Sequence, residues 1–118
     1  MSNSFVNKKA DLTSNSATTL YTVPSFSTDV IKSILVSEDS GNADTITVTL
    51  TDTSDNVFSL FKTKTISANA TTELLSAPLV AQESEVIKVT AATANRLHVV
   101  LSALEIKPRD VTWFIKIN

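Results

Sequence analysis

Residues 44–52 read DTITVTLTD, with Ile46, Val48 and Leu50 alternating strictly against Thr45, Thr47, Thr49 and Thr51. Alternation with a period of two sends successive side chains to opposite sides of an extended backbone, and β-branched residues suit a pleated, half-buried surface better than a helix. This stretch predicts a strand with one wet face. No comparably clean helical period occurs elsewhere in the chain, so helix content near zero is expected.

Composition agrees with that reading. The chain carries 17 Thr and 15 Ser among 118 residues, a hydroxyl bias that favours strands and turns over helix interiors. A chain of this length is about one domain with one modest core. Hydrophobic residues make up 42%, charged residues 19%, and the formal net charge is −2. The ten basic residues are scattered apart from Lys8 and Lys9. Nucleic-acid affinity depends on clustered Lys and Arg, so no nucleic-acid partner is expected. No apolar run approaches the ~20 residues that span a bilayer, and the N-terminus lacks the apolar core of a signal peptide, so a non-membrane product made in the cytosol is expected. Absence of Cys removes disulfides, thiolate metal sites and thiol nucleophiles together.

Working outward, residues 18–23 predict a first strand ending at Pro24, and residues 29–37 a second, apolar on both faces and so expected to be buried on both. The strand at 44–52 turns through 52–56 into 57–62 as an antiparallel hairpin, with 63–66 extending that strand or starting another. Short strands follow at 71–75 and 79–81. A second hairpin is expected from 85–91 into 96–106 across 92–95, its second arm lying in the middle of a sandwich or against a partner because both of its faces are apolar. Residues 111–117 resume as an apolar strand that either closes the sheet or pairs with another chain. The whole predicts an all-β, antiparallel β-sandwich or jelly roll of about seven to nine strands. It divides into an extended N-terminal arm (1–16) lying on its own domain or on a neighbour, a single sandwich domain (17–106), and a C-terminal linker and strand (107–118). A single Gly, Gly41, leaves left-handed turn positions to Asn, Asp and Ser.

Chemistry is sparse. His98 is the only histidine and lies mid-strand without a second His or any Cys, which favours a structural or interface role over metal ligation or base catalysis. One Gly rules out a nucleophile elbow, a P-loop and a dinucleotide fingerprint. The carboxylate pairs Glu38/Asp39, Asp52/Asp55 and Glu83/Glu85 match glycosidase residue types, but acids in turns more often accept local amide hydrogen bonds. An ion in the oxygen-rich turn at 52–56 would lack any EF-hand pattern. The Asn69-Ala-Thr71 sequon has meaning only in a secreted eukaryotic chain. No catalytic residue, metal or cofactor is expected. Among the aromatics, Tyr21, Phe58 and Phe61 are assigned to the core. The interface candidates are Phe5, Val6 and Leu12 in the arm, Phe26 in a loop, and Trp113, Phe114 and Ile115 in the tail.

Over residues 18–106 the order of segments resembles a known family. Thr18-Thr19-Leu20-Tyr21-Thr22-Val23-Pro24 precedes Val30-Ile31-Lys32-Ser33-Ile34 and the Thr-alternating strand. Glu73-Leu74-Leu75, Pro78-Leu79-Val80, Val86-Ile87-Lys88-Val89-Thr90-Ala91 and Leu97-His98-Val99-Val100-Leu101-Ser102 follow, closing on Leu104-Glu105-Ile106. This resembles small β-sandwich virion proteins of tailed bacteriophages, particularly marine and cyanobacterial ones. Many of those carry Gly where this chain has Ser25-Phe26-Ser27. The resemblance implies a non-enzymatic capsid decoration or cement subunit bound non-covalently to the outer shell. The alternative is a neck, tail or fibre component with receptor- or glycan-binding loops; a carbohydrate-active enzyme ranks third. It implies the major capsid protein or other virion proteins as partners, a homo-oligomer such as a trimer, and a place in the virion after assembly in the bacterial cytoplasm.

Overall fold

The computed structural model describes residues 2–107, which form nine strands and no helix: β1 (Ser2–Asp11), β2 (Thr18–Thr22), β3 (Thr28–Glu38), β4 (Asp44–Thr51), β5 (Val57–Ile66), β6 (Thr71–Glu73), β7 (Leu79–Ala81), β8 (Val86–Ala91) and β9 (Leu97–Lys107). They build two antiparallel sheets. The first runs β1-β9-β3-β6, with β7 also on β3, and the second runs β2-β8-β4-β5. The pairs β1·β9, β2·β8, β3·β6 and β4·β5 are therefore nested, outermost with outermost and inward. That nesting is the winding of a jelly roll, in which a long folded ribbon closes over itself and leaves two sheets face to face.

The alternation in 44–52 does what its pattern predicts. Ile46 and Val48 are buried completely, while Thr45, Thr47 and Thr49 lie half-buried on the outer face. From the first sheet Ile31, Ile34, Val36, Leu97, Val99 and Leu101 meet them without solvent exposure. Burying each such aliphatic side chain is worth about 1.5–3 kcal/mol relative to exposure, and Leu12, Leu20, Tyr21, Ile66, Ile87 and Val89 complete the same core. The stretch expected as an arm supplies β1, which pairs with β9 along its whole length, from Ser2 opposite Lys107 to Asp11 opposite His98.

Three expectations are corrected. First, strands β8 and β9 are not a hairpin: β8 lies between β2 and β4 in the second sheet, β9 between β1 and β3 in the first, and the connection between them crosses the sandwich. Second, β3 is buried on one face only, with Leu35 39% exposed. A bulge at Lys32 shifts its register between Ile31 and Ser33, so Ile31 and Ile34 point inward despite their odd spacing. Glu73 holds the bulge by accepting from Ser33 Oγ and from the Ile34 amide (2.8 Å). Third, Phe58 is not a core residue but 52% exposed on the edge strand β5, whereas Tyr21 is buried and Phe61 packs against the core.

Turn chemistry follows the scarcity of Gly. Asp55, Asn69, Ser84 and Asn95 take positive φ, as does Gly41 at 83°. Phe26 (63°) and Thr63 (48°) do so too, against the steric preference of residues with bulky or branched side chains.

Candidate adhesion surface

The two outer faces of the sandwich differ in chemistry. The second sheet presents hydroxyls, with Thr47 opposite Thr90, Thr45 opposite Thr65 and Thr49 opposite Lys88. The first presents two rows of apolar residues on either side of a polar row, Asn7 opposite Ser102 and Ser102 opposite Ser33. Registers across it place Phe5 opposite Leu104, Leu104 opposite Val30 and Val30 opposite Val80, one apolar row spanning β1, β9, β3 and β7. Phe5 is 79% and Val80 54% exposed. A parallel row reads Lys9, Val100, Leu35 and Glu73, and Ile106 extends the patch between Asn3 and Thr28. Scattered exposed apolar residues need no explanation, but a contiguous outward row on one face is a candidate contact surface.

Among the sequence-derived interface candidates, Phe5 therefore stands on the exposed face. Val6, its neighbour, points inward and packs against the core. Leu12 is buried in this chain's own core at 1% exposure, its amide donating to the Leu97 carbonyl, and so cannot reach a partner. Phe26 lies in the loop between β2 and β3, 61% exposed, its amide bonded to Glu83. Trp113, Phe114 and Ile115, with the rest of the C-terminal linker and strand, lie outside the described residues. Val30, Val80 and Leu104 were not singled out by sequence, because only the register brings them into one row.

A left-handed phenylalanine costs about 1–2 kcal/mol that glycine would not, partly offset by the roughly 0.5–1 kcal/mol of extra chain entropy glycine loses on folding. Phe26→Gly is expected to leave the unfolding temperature unchanged or slightly raised, measured by calorimetry. A clear drop would mean that the ring contributes packing within its own subunit.

Polar groups are tied to structure. His98 stands on the outer face of β9 between two carboxylates, Nε2 at 3.2 Å from Asp11 and Nδ1 at 3.5 Å from Asp39, joining β1 to the end of β3. Glu38, 2% exposed, accepts from the amides of Ser40 (2.8 Å), Asn69 (3.0 Å) and Gly41 (3.1 Å) and from the Ser40 hydroxyl. Burial pushes its carboxyl up, but those donors outweigh it and hold the pKa down at about 2. Asp52 accepts from the amides of Ser54 and Asn56, both at 2.9 Å, and Glu85 from that of Gln82 at 2.7 Å. Of the acid pairs named from sequence, Glu38, Asp52, Glu83 and Glu85 thus serve loop amides, while Asp39 faces His98. Between the sheets, the hydroxyl of Tyr21 on β2 reaches both Asp29 on β3 and Glu105 on β9 (2.6 Å to the latter), and Ser27 donates to Asp29. Burial, then the two carboxylate partners, push the Tyr21 pKa far up. Among the described residues no group of three or more His, Asp or Glu is arranged to hold a metal ion. An open groove of about 270 Å³ lined by Leu60, Phe61, Leu74, Leu75, Pro78 and Leu79 has no ionisable lining.

The fold and this surface define an all-β jelly-roll domain with two apolar rows on the outer face of its first sheet. A scan against protein-family models finds no match to the sequence, and a search of curated proteins finds none either.

Proposed function

We propose that the chain is a structural subunit of a tailed-bacteriophage virion, a decoration or cement protein that adheres to the outer shell through non-covalent contacts. The observation that carries this reading is the outward apolar row Phe5, Leu104, Val30 and Val80, the kind of surface that contacts with other proteins bury. The segment order over residues 18–106 supports it by resemblance. Jelly rolls also build viral capsid and lectin domains, an analogy of fold alone. The mechanism is adhesion: no bond is made or broken, and a small domain gains stability from mass action with its partners. A neck, tail or fibre location is the second reading, favoured by exposed Phe26 held in a left-handed loop.

Quantitative mass spectrometry of virions produced by the genome that encodes the chain tests both. Copies in the hundreds per particle are expected for a decoration subunit. A handful to a few dozen would favour the neck, tail or fibre, and absence from the particle would overturn both.

A further inference from the structure

We propose that the occupant of the apolar face is a second copy of this chain, packed face to face about a two-fold axis parallel to the strands and midway between β3 and β9. This rests on reading the face as an assembly surface and adds who covers it. The row runs Phe5, Leu104, Val30, Val80 across four neighbouring strands. A two-fold between the middle pair reverses that order, setting Phe5 over the partner's Val80 and Leu104 over the partner's Val30. The same rotation treats the parallel row Lys9, Val100, Leu35, Glu73 alike. Val100 then meets the partner's Leu35, and Lys9 stands opposite the partner's Glu73.

The match is twofold: apolar on apolar in two rows, and opposite charges at the ends of one of them, each made twice by symmetry; the row between them, Asn7, Ser102 and Ser33, sets hydroxyls over hydroxyls. An isologous contact requires this self-complementarity, and interfaces combine apolar contacts with hydrogen-bonding groups and a charged rim. An axis along the row instead would leave Lys9 and Glu73 unmatched. Twisted sheets pack in this aligned manner at about −30°.

Area sets the strength. Four strands spaced about 4.8 Å apart, over the eight or so residues from His98 to Ile106 at about 3.3 Å each, present roughly 500 Å² per copy. Two such faces bury about 1,000 Å², the lower limit for a specific interface and the range of transient contacts, so the dimer is weak and concentration-dependent.

The chain has no Cys, which makes a crosslink decisive. Within one copy, positions 5 and 80 lie three strand spacings apart, about 14 Å, beyond the ~7 Å Cα separation a disulfide tolerates. Facing sheets stand about 10 Å apart, also too far for a disulfide, so the double variant Phe5→Cys/Val80→Cys is expected to form a covalent dimer with a thiol-specific crosslinker spanning about that one sheet spacing, too short for the separation within one copy, at least about tenfold faster than either single variant at the same concentration. Sedimentation equilibrium of the unmodified chain should show a dimer that Phe5→Asp dissociates by about tenfold or more in Kd, with the unfolding temperature of the exposed-site variant unchanged. Single variants crosslinking as fast as the double, or a chain monomeric at millimolar concentration, would overturn the two-fold. If the chain is monomeric yet counted in hundreds per virion, the face belongs to the shell and only this inference fails. If the dimer forms and virions lack the chain, the virion reading fails and the two-fold stands.

Discussion

Replacing Tyr21 with phenylalanine is expected to lower the unfolding free energy by about 2–3 kcal/mol at neutral pH, the scale of a lost hydrogen bond to a charged acceptor in a buried site. The hydroxyl is the one polar group that crosses from the second sheet to the first in this cluster, where Asp29 has no solvent exposure. Without it Asp29 keeps the Ser27 hydroxyl, and it faces Glu105, its direct cross-strand partner, with nothing between them. Like charges directly opposite across a ladder are destabilising. Glu105→Gln should therefore cost less in the phenylalanine variant than in the unmodified chain, a coupling that a double-mutant cycle in urea reads directly. The alkaline limb gives an independent check. Folding raises the Tyr21 pKa above its ordinary 10.0, so above pH 10 the folded chain holds a proton that the unfolded chain gives up. Stability is then fully present below pH 10 and falls as the pH rises beyond it. This fall should be shallower in the variant, and equal slopes would mean that the hydroxyl does not bridge the sheets.

The strands were legible where each inward residue is followed by an outward one, as in β4, because burial on one face imposes that alternation directly. They became misleading where geometry interrupts the count. The bulge at Lys32 puts Ile31 and Ile34 on one face and makes β3 look apolar on two. The connection between β8 and β9 shows why a hairpin cannot be read from proximity: a short polar linker between two apolar strands serves equally to reverse a strand within a sheet or to carry it across the core. What selects the crossing is nonlocal, the pairing of β9 with β1 and β3 on either side. The candidate surface divides in the same way. Phe5 is conspicuous in a polar segment, but Val80 and Leu104 acquire meaning only from register. Leu12 and Phe5, seven residues apart in one extended segment, differ in fate because Leu12 passes beyond the end of β1 and turns into the core. The acids hid their role for a related reason. Asp44, placed at the start of a strand, accepts from the amide of Thr93 at 3.0 Å and pins the crossing connection, a contact between residues far apart in the chain.

Glu38→Ala is expected to loosen one end of the sandwich more than loss of any other loop carboxylate. Two separate turns, after β3 and between β5 and β6, direct the amides of Ser40, Gly41 and Asn69 onto its carboxylate. Gly41 and Asn69 hold positive φ there, so the carboxylate stabilises a backbone that each turn would otherwise leave more freely. In hydrogen exchange the Gly41 and Asn69 amides should be protected in the unmodified chain and exchange much faster in the variant, while core amides such as those of Val48 and Leu101 change only with global stability. The acid limb follows from the sign of the shift. Folding lowers the Glu38 pKa from 4.5 to about 2, so between those values the unfolded chain binds the extra proton, and the contribution present above pH 4.5 is lost as the pH falls towards 2. Asp52, through its amide donors, and Glu73, through the Ser33 hydroxyl and then amide donors, are shifted in the same direction, so the acid limb is shared. Glu38→Gln should flatten it between pH 4.5 and 2 and lower stability at neutral pH, because an amide presents donors as well as an acceptor to a ring of N–H groups. An unchanged acid limb would show that the two turns hold their shape without the charge.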